Sequence, residues 1–409
     1  MSRFLYLALV SFFITTASWA DKVITGDQRT EMYFPLLKGK KIAVYSNATG
    51  MAGDKHIVDL LVENNMNVKA ILAPEHGFRL KADAGEHVSN EIDEATGIPV
   101  ISLYGRKDKR PLKELIADYD VIITDIQDVG LRYYTYYVTM LKLMNACAES
   151  QKKMIVLDRP NPLGGEKVEG CLTEDDCVSF VSQFRIPYLY GLTCGELACM
   201  LNGEKLLKNG VQCPLTIIKM KGWKRKMTYS DTGLQWISSS PHIPQPISAI
   251  CYPVSGILGE FSYMNIGVGY TIPFQMFGAP WLNADSLARR MNALHLPGVI
   301  FRPVYLKPFY ATMKGEAVEG IQVHITDYKK VHLTDIQFYV MQETASMYPD
   351  KAVFKVQDPK RFNMFDKVCG SKQIRLRFAE NHRWNDIKDY WYKDVEAFKK
   401  LSRKYYLYK

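Results

Sequence analysis

The sequence predicts an α/β fold: a Rossmann-like, doubly wound, mostly parallel sheet with a second, smaller α+β domain at the C-terminal end. Three observations carry this reading. Runs such as Val121-Ile122-Ile123 and Met154-Ile155-Val156-Leu157 are too continuously apolar for a sheet with one wet face. They alternate with stretches of helical spacing, which is the pattern of β-α-β units. Several of the runs end in a polar cluster, and open α/β sheets bind their ligands outside the carboxyl ends of the strands.

In chain order, Lys41 to Asn47 reads as the first strand and His56 to Asn64 as a helix with Ile57, Leu60 and Leu61 on one face. Asn67 to Ala73 is a second strand, Ile98 to Leu103 a third, and Leu112 to Ala117 a short helix. Asp120 to Ile126 is a strand buried on both faces, followed by a long helix from Tyr136 to Ser150 and another buried strand from Lys153 to Asp158. No GxGxxG follows the first strand, so a dinucleotide site is not expected. Thr193 with Glu196 forms a capping box that starts a helix, and Leu215 to Met220 is a strand. Ser239 to Pro246 reads as a loop, and Gly256 to Gly269 as a glycine-rich apolar stretch without the ending of a phosphate loop. Beyond Gly278 the pattern changes to helix 285–294, strands 299–303 and 319–325, helix 334–347 and an aromatic helical tail 388–401. The expected division is residues 21–275 and 276–409, after a leader of residues 1–20.

That leader has a positive residue, Arg3, an apolar run from Phe4 to Ile14 and the small residues Ser18 and Ala20. This is the pattern of a signal peptide cut after Ala20, and its apolar run is too short to span a bilayer. A periplasmic or secreted protein without stable membrane insertion is expected. A net charge of +9 in such a setting points to no nucleic acid and is compatible with an acidic glycan. The eight cysteines show no metal-type CxxC spacing; Cys171 and Cys177 flank an acidic loop and are the pair best placed for a disulfide.

The polar clusters are Asn47, Glu75-His76, Tyr104-Gly105-Arg106, Asp125-Ile126-Gln127-Asp128 and Asp158-Arg159-Pro160-Asn161. Several such clusters on one edge of one sheet are what a site looks like. Glu75, at the end of a buried strand, is the expected general acid, with Asp128 as second carboxyl and Asp125 the alternative. His76, Asp125, Arg132, Arg159 and Asn161 are expected to bind substrate, the two arginines as partners for a carboxylate. The same carboxylates and His76 match no standard metal motif, so no metal and no cofactor are expected.

Pro74-Glu75-His76-Gly77, Asp125-Ile126-Gln127-Asp128-Val129-Gly130, Arg132-Tyr133-Tyr134-Thr135-Tyr136, Asp158 to Gly165, Gly195-Glu196-Leu197 and Phe277-Gly278-Ala279-Pro280-Trp281 together resemble the exo-β-N-acetylmuramidases of the NamZ type. The resemblance runs from about Lys41 to past Phe301. It implies a Rossmann-like domain and a smaller domain with a cleft between them, release of terminal N-acetylmuramic acid from the non-reducing end of peptidoglycan fragments, and Glu75 as the catalytic residue. Disaccharides or muropeptides are the implied partners. Two runs depart from the family pattern. Asn265-Ile266-Gly267-Val268-Gly269-Tyr270 stands where Ser-Glu-Gly-Arg-Gly-Thr is common, and Tyr190-Gly191 where His-Gly is common. The missing acid and base keep a second reading in play, a non-catalytic or altered-specificity muropeptide-binding protein.

Overall fold

A computed structural model describes residues 22–79, 91–105 and 110–409. The leader, with its cut after Ala20, and Arg106 lie outside the described residues. The main sheet holds β1 (Ile42–Ser46), β2 (Val68–Ala73), β3 (Glu91–Ile92), β4 (Pro99–Ser102), β5 (Val121–Asp125), β6 (Lys153–Leu157) and β7 (Leu215–Ile218). Their order is β3-β4-β2-β1-β5-β6-β7, parallel throughout except for β3 at one edge. The chain runs outward from β1 to one side through β2 and β4, then returns to pair β5 with the other side of β1. This makes the boundary between β1 and β5 the topological switch point.

Alternation along the strands builds two apolar layers. Ile42, Val44, Ile71 and Ile123 face helices α1 (Thr30–Leu37) and α2 (Ile57–Glu63), meeting Tyr33, Leu37 and Leu61. Ala43, Tyr45, Leu72 and Ile122 face the other way, onto Tyr137, Leu141 and Met144 of α3 (Thr135–Glu149). The capping box forms as the sequence predicts, with Thr193 and Glu196 exchanging bonds at the start of α4 (Cys194–Gly203).

The glycine-rich stretch, to which the sequence reading gave no element, is helical in its first part. Residues Pro246–Phe261 form a continuous helix, α5, with Pro246 pre-set for its first turn and Pro253 inside it. The glycines are there for close approach. A Cβ on Gly256 would lie 1.6 Å from the Tyr133 hydroxyl oxygen, and one on Gly259 would lie 2.4 Å from Cδ1 of Ile266.

The second unit carries an antiparallel sheet in the order β8 (Met276–Ala279), β10 (Val318–Ile325), β9 (Val299–Leu306). It is flanked by α6 (Ala284–Ala293) and α7 (Asp335–Met347). The aromatic tail breaks into Lys388–Tyr392 and Val395–Ser402 rather than one helix. Its Trp391 is fully buried, 5.2 Å from the Phe338 ring and 5.6 Å from the Tyr188 ring, so it packs the tail onto the body. Cys171 and Cys177 are free thiols, and Cys171 Sγ bonds instead to the Cys369 carbonyl. No described helix is long and apolar enough to cross a membrane.

The contact between α5 and Tyr133 gives a stability prediction. Gly256→Ala should destabilise the fold by about 1–3 kcal/mol through overpacking. Tyr133→Phe, which removes the opposing hydroxyl, should recover part of that loss in the double variant. Thermal melts of the two single variants and the double variant check it; strict additivity would show that the helix relaxes away from the ring.

Candidate active site

The switch-point crevice, where a ligand is first sought, is filled by the chain itself. The turn Gly26–Gln28 folds over the strand ends and places Asp27 against Arg159, Nη2 to Oδ2 at 2.5 Å. From the other side Arg159 Nε donates to Asp125 Oδ1 at 2.6 Å and Nη2 to Oδ2 at 3.1 Å. Burial pushes both carboxyls up, and the guanidinium between them draws them back. The space left beside Arg159 is about 70 Å³, far below the roughly 300 Å³ at which ligand pockets begin. Arg159 and Asp125, expected to hold substrate, are therefore spent on each other and on Asp27.

The run after β5 is also scaffold. Asp128 caps the entry to α3: Oδ1 accepts from Gly130 N at 2.8 Å and from the Tyr190 hydroxyl at 2.6 Å, and Oδ2 from Tyr137 N at 3.2 Å. Burial raises its carboxyl to about 6, with these donors pulling against the rise. Both oxygens face inward, and the side chain is buried. Arg132 is fully buried and donates to the carbonyls of Cys171, Ile186 and Val368, tying the second unit to the first. Asn161 donates to the Leu192 carbonyl and accepts from Leu163 N. Both terminal nitrogens of Arg132 and the amide of Asn161 are thus given to backbone carbonyls. Tyr190, the departure from His, is the residue that bonds Asp128.

Glu75 and His76 differ from all of these. The chain leaves β2 at Pro74 and turns, Gly77 N donating to the Pro74 carbonyl at 3.1 Å. His76 takes a left-handed backbone, φ 70°, at the third position of this turn. A non-glycine residue held there costs on the order of 1–2 kcal/mol and is a mark of function when the surroundings fix it. Glu75 is half-buried, and the Thr135 hydroxyl at the start of α3 donates to its Oε2 at 2.8 Å. Burial raises the Tyr104 phenol, and the charge of Glu75 and a hydrogen bond to it raise it further.

Across from Glu75 stands a carboxylate that the sequence reading passed over. Glu260 lies in the last turn of α5, open to solvent. Its carboxyl is raised, first by the protein around it and then by the negative charge of Glu75, against the pull of Arg361. Water reaches Glu260 and the charge of Glu75 bears on it, so the two carboxylates share one corner of the molecule. The charge of Glu75 reaches Tyr136, and that of Glu260 reaches Tyr133 and Tyr252. Tyr133 and Tyr252 meet edge to face at 5.0 Å, and Tyr134 and Tyr136 lie 4.6 Å apart. Tyr133, Tyr134 and Tyr136 are buried in the core and Tyr252 packs against them, so these rings form a rigid packed base that links the start of α3 to α5. Arg361, exposed, donates Nη1 to the Ser262 hydroxyl at 2.9 Å at the same end of α5. The available signal for Glu260 was its isolation, as the lone charged residue between Pro246 and Tyr270.

A grouping with metal-ligand geometry among the described residues is Glu169, His332 and Asp335. Glu169 already accepts from Leu333 N, Thr334 N and the Thr334 hydroxyl, and Asp335 from the Tyr392 hydroxyl. Their first task is to hold the start of α7 on the main unit.

Comparison with known proteins places this architecture. A family model described as the N-terminal part of exo-β-N-acetylmuramidase NamZ matches residues 42–247, and one for the C-terminal part matches residues 250–408. The chain is 38% identical to a peptidoglycan β-N-acetylmuramidase NamZ of Bacillus subtilis (strain 168), over 95% of this chain and 92% of the relative. The crystal structure of a DUF1343 family protein from Bacteroides fragilis NCTC 9343 superposes with a TM-score of 0.89 at 56% identity, covering 95% of this chain and 99% of the other. A second such protein from the same organism gives 0.76 at 32% identity over the same shares.

The buried triad of Asp27, Arg159 and Asp125 leads to a test. Arg159→Met leaves two buried carboxylates without their cation and should cost about 3–5 kcal/mol. The denaturation midpoint should fall with an unchanged slope. Full stability in this variant, joined to a selective loss of acidic-sugar binding, would mean that the guanidinium faces ligand.

Proposed function

Because the chain belongs to the exo-β-N-acetylmuramidase NamZ family, we propose that it is a glycosidase acting on peptidoglycan, removing N-acetylmuramic acid from the non-reducing ends of cell-wall fragments during turnover. The observation that carries the reading is Glu75, half-buried at the carboxyl edge of the sheet, held by the Thr135 hydroxyl and electrostatically coupled to the solvent-exposed Glu260, while Asp125, Asp128 and Arg159 at the same edge are engaged in structure. The missing acid and base at Ile266 and Val268 argued in the sequence for a binder without activity. Glu260 supplies a carboxylate at the same corner, since Ile266 lies against the adjacent Gly259.

An exo-acting enzyme must read the end of its polymer, and muramic acid differs from its neighbour by a lactyl carboxylate. With Arg132 and Arg159 committed, a cation among the described residues suited to that carboxylate is Arg361, which has donors beyond the Nη1 shared by Ser262 and the Glu260 carbonyl. The proposed setting is the periplasm or exterior, reached by cleavage after Ala20.

The test of the reaction is release of free N-acetylmuramic acid from a muramic acid–N-acetylglucosamine disaccharide, followed by mass spectrometry. Glu75→Gln should lower the rate by about 10²–10⁴-fold, the worth of one positioned acid–base group. Near wild-type turnover by that variant would move the chemistry away from Glu75. Arg361→Met should raise KM for muramides by about tenfold, in line with one charged hydrogen bond of 1.5–3 kcal/mol, and leave glucosaminides unchanged. Intact mass of the exported protein should begin at Asp21.

A further inference from the structure

We propose that Glu260 is the proton donor of the site and Glu75 its partner, the group that takes the proton of the attacking water; this assignment rests on the glycosidase reading above. The argument begins with the two helices that meet at the site. Thr135, the first residue of α3, donates its hydroxyl to Glu75 Oε2 at 2.8 Å, which places that carboxylate beside the positive end of a 15-residue helix. Glu260 stands in the last turn of the 16-residue α5, beside the negative end. A helix C-terminus disfavours a further negative charge, so Glu260 is supported as the neutral acid, while Glu75 keeps a hydroxyl donor on its Oε2.

The surroundings act in the same sense. Tyr133, from the loop that leads to Thr135 and hence to Glu75, packs on Gly256 of α5 one turn before Glu260 and meets Tyr252 at 5.0 Å; Arg361 from the second unit donates to the Glu260 carbonyl at 3.4 Å and to the Ser262 hydroxyl at 2.9 Å; and the charge of Glu75 reaches the Glu260 carboxyl. The protein around it and the charge of Glu75 both raise the Glu260 carboxyl, and Arg361 alone opposes them. Two like carboxyls in one site separate into a protonated and an ionised member, which is the division of labour that glycoside hydrolysis uses. Asp128 cannot serve as the second member, because its oxygens are occupied by Gly130, Tyr137 and Tyr190.

The step balances without any further reagent. Glu260 gives its proton to the glycosidic oxygen as the bond from that oxygen to the anomeric carbon breaks, and the departing saccharide leaves as an alcohol. Water supplies the oxygen that replaces it on the anomeric carbon and gives one proton to Glu75. Exchange with solvent then returns the proton to Glu260. This reverses the role expected for Glu75 from the sequence, where it was the acid.

The roles separate by leaving group. Wild type, Glu260→Gln and Glu75→Gln are compared on the muramic acid disaccharide and on 4-nitrophenyl N-acetylmuramide, with thermal midpoints confirming that each variant is folded. Glu260→Gln should lose about 10²–10⁴-fold on the disaccharide but less than about tenfold on the nitrophenyl glycoside, which departs without a proton. It should also lose the alkaline limb of the kcat/KM profile. Glu75→Gln should lose heavily on both substrates. Equal losses by Glu260→Gln on the two substrates, no loss on either, or the leaving-group dependence appearing in Glu75→Gln instead would overturn the assignment. A wild-type protein that turns over neither substrate would overturn the glycosidase reading itself, which is a distinguishable result.

Discussion

The guanidinium of Arg159 is the constraint on which the arrangement of this molecule depends. It lies 8% exposed between the carboxylates of Asp27 and Asp125, one from the turn before α1 and one from the end of β5. By bonding both it seals the crevice between β1 and β5, the position where a doubly wound sheet would ordinarily open to a ligand. Sealing that crevice moves the available edge of the sheet to β2. The chain there leaves at Pro74 into a strained turn, and helix α3 begins beside it. The site is where it is because the obvious place is closed from within.

The same logic runs through the loop between β5 and α3. Asp128 binds two backbone amides and the Tyr190 hydroxyl, and so fixes how α3 enters. Thr135 is the first residue of that helix, and its hydroxyl holds Glu75. A shift of Asp128 would be transmitted to the reacting carboxylate through one turn of helix. Arg132, bonded to the carbonyls of Cys171, Ile186 and Val368, fixes the second unit relative to that loop. The polar residues of this loop thus build the frame in which Glu75 is held.

This explains how far the sequence could be read. The parallel sheet was legible because strands buried on both faces have no polar phase, and Val121 to Ile123 show none. Glu75 was legible because a strand end followed by Pro, Glu, His and Gly combines an exit, a charge and permissive backbone. Asp125, Arg132, Arg159 and Asn161 were assigned to substrate, and Asp128 to catalysis, for a reason that is physically sound and incomplete. A polar residue at a strand end is equally suited to bind a ligand or to bind another strand end, and spacing along the chain does not choose between them. Only the partner decides, and the partner of Arg159 is Asp27, 132 residues away.

Glu260 was hidden for the opposite reason. Gly256, Gly259, Gly267 and Gly269 give its neighbourhood the composition of a loop. Glycine weakens a helix by roughly 1 kcal/mol relative to alanine, so a glycine-rich apolar run argues locally against α5. Tertiary packing overrides that propensity. The missing side chains are the space into which Tyr133 and Ile266 fit, and burial of Ile250, Val254, Ile257 and Leu258 along the same helix offsets the cost. The helix must end where Ser262 adopts a left-handed backbone, and its last turn delivers Glu260 to the site. Ile266, standing where a carboxylate is common in the family, wedges against Gly259 and holds that last turn in place. A position that has lost its own charge has thereby become the support for a charge one residue further along the helix.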